Sequence, residues 1–254
     1  MTPADPPETS VTSASTATPS ARFRPDDVLE LECPFTGTTV TNASRYHVSV
    51  RWPWLEVDPR AERFRWNGER ALPTPEAREW ELFRSEPVET ALKAGDTCRV
   101  GIPPTVVHVV EVHHFDPPLE TGMLPRPACY LDVLPQGETH DPELEEQAYA
   151  FDPAGGEPIR VRLVFRPYAF LEPGDEVADR DGRAWRFDAA WDWHPFDGAG
   201  PGAPAWPLAL LFRGGEPAPE EAAAVGRATA AGSHAEELER WTALTLASPA
   251  TGRW

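Results

Sequence analysis

Three histidines, His108, His113 and His114, fall within one short run that also holds Glu111. Neutral imidazole is a good ligand for zinc, copper or iron where three or four donors converge at about 2 Å. The run from Val106 to Phe115 is β-patterned. Simple alternation puts His108 and His114 on one face and Glu111 and His113 on the other. Neither face alone holds three ligands, so a metal centre here must recruit a second strand. A small metal-dependent enzyme centred on these histidines is therefore one functional alternative.

Two further side-chain sets carry binding chemistry. Trp191 and Trp193 share a parity in an aromatic strand pattern, and exposed indoles stack on sugar rings, so carbohydrate binding is a second alternative. Arg160, Arg162 and Arg166 make the one marked basic face, which in so acidic a chain is expected to meet carboxylates within the molecule or across a subunit contact. Asp188 and Asp192 invite a glycosidase reading, but four residues along one strand span about 13 Å, too far for either common carboxylate separation. The chain holds no Gly-x-Ser-x-Gly elbow, phosphate-binding Gly-Lys-Ser/Thr loop, dinucleotide fingerprint or His-Glu-x-x-His pair. No catalytic residue is assigned and no cofactor is expected.

The elements that would position these groups are mostly strands. With 30 Pro and 18 Gly in 254 residues, a mainly helical fold is disfavoured, because Pro lacks the donor and Gly the restricted backbone that a helix interior needs. A motif recurs at Asp26-Asp27, Gly95-Asp96 and Gly174-Asp175, with aspartate turns closing each unit at Asp58-Pro59, Asp116-Pro117 and Asp197-Gly198. Recurrence in fixed order indicates a degenerate three-fold repeat. Strands are expected at 46–54, 63–66, 106–115, 129–134, 159–166, 185–194 and 206–212, with a turn or small hairpin at 33–39. Asn67-Gly68 and Asp181-Gly182 are hairpin signals. Pro219-Glu220-Glu221 and the Ser233/Glu236 capping box start C-terminal helices.

The division that follows is a disordered tail over 1–21, β modules over 22–75, 76–140 and 157–215, a short helix and linker over 141–156, and a helical segment over 216–254. The expected fold is mainly β: serial small antiparallel sheets or partly open SH3-like barrels, with a single β-sandwich as the alternative.

Charge and cysteine usage narrow the partners. A net charge of −18 opposes binding to nucleic acid or anionic membranes, which need a positive field. Cys33, Cys98 and Cys129 are too widely spaced for a disulfide framework or a thiolate zinc site. With no signal-like start and no long apolar run, a cytoplasmic setting is expected. The reading that fits these features is a non-enzymatic interaction or assembly module, an acidic adaptor or inhibitor of a basic protein partner, with homo-oligomerisation open.

Overall fold

The computed structural model describes residues 23–246 except 55, 62–63, 78, 142, 144–146 and 199. The tail expected over 1–21, the chain beyond 246 and most of the helix expected over 141–146 lie outside the described residues. The fold is mainly β, 40% strand and 12% helix, with several antiparallel sheets, one of them a curled half-barrel, and short C-terminal helices.

The first ten strands are β1 (Val28–Ala43), β2 (His47–Arg51), β3 (Glu56–Val57), β4 (Glu69–Pro73), β5 (Arg84–Glu86), β6 (Thr97–His114), β7 (Met123–Leu124), β8 (Cys129–Pro135), β9 (Tyr149–Phe151) and β10 (Arg160–Phe165). Then come β11 (Asp175–Ala178), β12 (Ala184–Ala189), β13 (Asp192–Pro195) and β14 (Ala209–Phe212), followed by α1 (Pro219–Thr229) and α2 (His234–Thr245).

Strands β1 and β6 are the spine of the larger sheet, paired antiparallel from Val28↔His108 to Thr39↔Thr97. Each is shared by two halves of that sheet. One half of β1 pairs with β10 and the other with β2, which in turn pairs with β4, while β6 carries β5 near its start and β8 with β9 near its end. Register shifts on both sides of Cys33 bend the spine, as bulges do by inserting unpaired residues. The turn or hairpin expected over 33–39 is thus a stretch of bent strand: Pro34 and Gly37 are absorbed into β1. At the bend the two backbones nearly touch. A Cβ on Gly101 would lie 2.7 Å from the Cys33 carbonyl oxygen and 2.8 Å from the Phe35 Cα.

Other local expectations fail for identifiable reasons. Residues 64–66 form no strand; the Asn67-Gly68 turn leads directly into β4, with Gly68 at φ +77° and Asn67 Oδ1 accepting from the Glu69 N–H. The single strand expected over 185–194 is the hairpin β12–β13, because Trp191 adopts φ +66° and Ala189 pairs with Asp192. Trp185, Phe187 and Trp193 still face one core, which is why the pattern mimics unbroken alternation.

The three recurrent motifs are one turn used three times. The backbone N–H groups of Arg24, Lys93 and Glu172 donate to the carboxylates of Asp27, Asp96 and Asp175 at 2.9, 2.8 and 2.9 Å. The same aspartates return a backbone bond to the first residue of each turn. The third position is left-handed each time, at φ +66° for Asp26 and +90° for Gly95 and Gly174, as a type II turn requires. Each turn launches a strand, respectively β1, β6 and β11.

Two cores result. One combines Leu29, Leu31, Val48 and Val50 with Val100, Val107, Leu131 and Phe151, so the segments 22–75 and 76–140 share a single interior, and β10 completes the same sheet. The second lies in the sheet β13-β12-β11-β14 and centres on Tyr168, whose ring touches Phe170, Phe187, Trp191, Trp193 and Trp206. α1 covers β14 through Val225 and through Thr229, whose hydroxyl accepts the Leu208 N–H. α2 is capped by Ser233, whose side chain accepts the Glu236 N–H, and the helix bridges the two bodies. Its Trp241 indole donates to the Asp26 carbonyl at 3.0 Å and packs on His108, while Glu237 accepts the Tyr168 N–H at 3.1 Å.

Candidate functional site

The basic face is consumed internally. Arg162 stands opposite Glu30 and Arg160 opposite Glu32 across the β1–β10 ladder, with ion pairs of 2.8 and 3.5 Å. Arg166 grips the buried Asp27 with two bonds of 2.7 Å. Trp193 is 5% exposed and offers no platform to a sugar. Trp191 is half-buried, in edge contact with Tyr168, His234 and Trp241.

The histidines separate differently from the expected alternation. Between Val109 and Glu111 the β6–β8 register shifts, so Val109 pairs with Val133 and Glu111 with Asp132, leaving Val110 as the extra residue of a bulge. One extra residue inverts the parity of all that follows. His108, Glu111 and His113 therefore share the face opposite the core, and His114 falls on the other side. The three histidines do not form one site: His108 is buried under Trp241, and burial together with the nearby His140 pushes its pKa down to about 4.

What the register does assemble is Glu111, His113 and Asp132, each offering a ligand atom within 4.8 Å of the others. His113 Nε2 is 3.0 Å from Asp132 Oδ2, and Nδ1 is 3.7 Å from Glu111 Oε1. Nothing in the sequence pattern marks Asp132, because its membership depends on the register of β8.

A second arrangement lies where β9, β7 and the loop before β10 meet. A cavity of about 230 Å³ is walled by Phe83, Tyr130, Tyr149 and Phe151 and carries Asp152, Glu157 and Arg70. Arg70 is already committed: its guanidinium lies over Trp52 at 4.6 Å and Phe83 at 5.0 Å, reaches both Glu81 oxygens at 3.3 Å, and bonds the Tyr149 hydroxyl. The acids are less committed. Asp152 Oδ1 accepts the Ala154 N–H and Glu157 Oε1 accepts the Trp52 indole at 3.2 Å, which leaves Asp152 Oδ2 and Glu157 Oε2 without a hydrogen bond among the described residues. Burial raises the Asp152 pKa; the Ala154 bond opposes this and the Glu157 charge adds to it. Tyr130 is raised as well, by burial and then by both acids.

Glu81 belongs also to a larger cavity of about 590 Å³, lined by Trp80, Leu82, Pro103, Pro104 and Pro135. The Arg70–Glu81 pair is thus a wall between an acidic pocket and a mainly apolar groove. The scattered positions of Arg70, Asp152 and Glu157 carry no motif, so only the folded chain reveals the pocket.

No protein-family model, curated protein or solved structure matches this chain. No helix among the described residues is long and apolar enough to cross a membrane.

Proposed function

We propose that the chain is a protein-interaction module that engages a basic partner by receiving one cationic side chain in the Asp152/Glu157 pocket. The observation that carries this reading is the pair of carboxylates, each with an oxygen that no hydrogen bond among the described residues claims, inside an aromatic wall. Asp152, whose proton affinity is raised by burial and by the neighbouring Glu157 charge, is stabilised in its charged form by a cation, and aromatic faces add attraction for guanidinium or ammonium. The volume suits one long side chain better than a drug-sized ligand. A net charge of −18 would steer a basic partner toward the surface.

The three like turns that launch β1, β6 and β11 are, in this reading, remnants of an internal repeat. The setting we propose is cytoplasmic, where the free thiols of Cys33, Cys98 and Cys129 stay reduced. The test is titration of a fluorescent Arg-containing peptide into the full chain, compared with the same peptide carrying citrulline for Arg. Saturable binding that requires the charge and is lost in a D152N/E157Q double variant supports the reading. Equal binding of both peptides, or binding unaffected by the variant, overturns it.

A further inference from the structure

We infer that Glu111, His113 and Asp132 form a binding site for a divalent transition-metal ion on the outer face of the β6–β8 ladder. The site is independent of the acidic pocket and of any partner.

The geometry comes from the Val110 bulge. Because Glu111 pairs directly with Asp132, and His113 pairs with Tyr130 one step further, the carboxylates face each other across the ladder and the imidazole stands beside both. Directly opposed residues on antiparallel strands project to the same side with Cβ atoms about 5 Å apart. The donor set is one imidazole nitrogen and two carboxylate oxygens, a combination suited to zinc, iron or manganese, with further positions open to water.

Charge supports the same assignment. Asp27, Asp58, Asp175, Asp188, Asp197, Glu30 and Glu32 each meet an arginine. Glu111 and Asp132 meet none among the described residues: their ion pairs run only to His113. A single imidazole cannot neutralise both carboxylates, whereas a divalent cation can. Donors bound at about 2.1 Å to one ion sit about 3 to 3.5 Å apart. Asp132 Oδ2, 3.0 Å from His113 Nε2, already meets this; Glu111 Oε1 now contacts the other ring nitrogen, and its side chain, 64% exposed, has room to swing to the Nε2 side so that one nitrogen and two carboxylates converge on a single ion. Glu111 also borders a cavity of about 330 Å³ between the two sheets, so an ion held here remains open to water or a small ligand.

The experiment uses untagged full-length protein stripped with a chelator, titrated calorimetrically with zinc chloride and, separately, manganese chloride, with bound metal measured after gel filtration. One ion per chain is expected, accompanied by a rise in melting temperature at saturating metal. Asp132→Asn, His113→Ala and Glu111→Gln should each weaken binding by about tenfold or more. His114→Ala, on the opposite side of the strand, should not. The exposed Glu111→Gln variant keeps the test valid if either of the others fails to fold. Absence of stoichiometric binding for both metals, or binding retained in Glu111→Gln and every other folded variant of the triad, overturns the assignment.

Discussion

Asp27 and Arg166 are locked in a two-pronged ion pair, Nε to Oδ1 and Nη2 to Oδ2, both at 2.7 Å, with the carboxylate wholly buried. The same aspartate holds the turn that starts β1. Removing one partner leaves a charge stranded in the interior, which costs about 3 to 5 kcal/mol. Arg166→Met should lower the urea-unfolding free energy by an amount in that range. Arg160→Ala, whose partner Glu32 is also solvent-exposed, should change it by less than about 1 kcal/mol. Similar losses for both variants would show that burial does not distinguish the pairs.

Asp26 and His108 give stability opposite dependences on pH. Burial raises Asp26 to about 6 from 3.8, with the Trp191 indole pulling the value back and Asp27 adding to the rise. The folded state therefore holds the Asp26 proton longer than the unfolded chain, and stability falls as pH climbs from about 4 to about 6. His108 is held neutral, at about 4 against 6.5, so its contribution is present above about 6.5 and lost as pH falls toward 4. Asp26→Asn keeps a residue tolerant of left-handed backbone. It should raise stability at pH 7 and remove the Asp26 part of the pH slope in chemical denaturation measured from pH 4 to 8, leaving the opposite slope from His108 in place.

Gly101 is fixed by space. Its added Cβ would press on the backbone of β1, at the Cys33 oxygen and the Phe35 Cα, and neither yields as a side chain would. Gly101→Ala should cost about 1 to 3 kcal/mol, the usual range for overpacking. Gly37→Ala, with nothing within 4 Å of the added atom, is the matched control, and thermal melts of the pair provide the comparison.

Binding of a basic peptide should weaken as salt rises, since attraction between exposed fields is screened within about 8 Å at physiological ionic strength. Trp52→Phe removes the indole donor from Glu157 while keeping an aromatic ring. It should reduce affinity less than Glu157→Gln, and competition titrations at two salt concentrations resolve the order.

Turn chemistry was the part of the fold most legible in the sequence. Asn67-Gly68, Asp181-Gly182, the Ser233 cap and the three aspartate-held turns each act through their own side chains or backbone freedom, so local residues announce them. The bulge at Val110 was not legible. Val106, Val107, Val109, Val110 and Val112 occupy both parities, which reads equally well as a strand covered on two faces. The left-handed Trp191 lacks the Asn-Gly signature of a tight hairpin, so β12 and β13 read as one strand. For the candidate sites, His113 and Glu111 were visible as a pair on one face, but Asp132 joins them only through cross-strand register. Asp152, Glu157 and Arg70 meet only through tertiary packing.

Strand β1 has a consequence for how the molecule is made. Its ladder neighbours β6 and β10 come much later in the chain, and the Glu30–Arg162 pair spans 132 residues. During synthesis Val28, Leu29 and Leu31 emerge well before anything that can cover them, and closure of so long a loop precedes any gain from pairing. Until β6 and β10 are made, the nascent chain carries an open apolar edge, the condition under which long-range strand pairing is slow and exposed to aggregation.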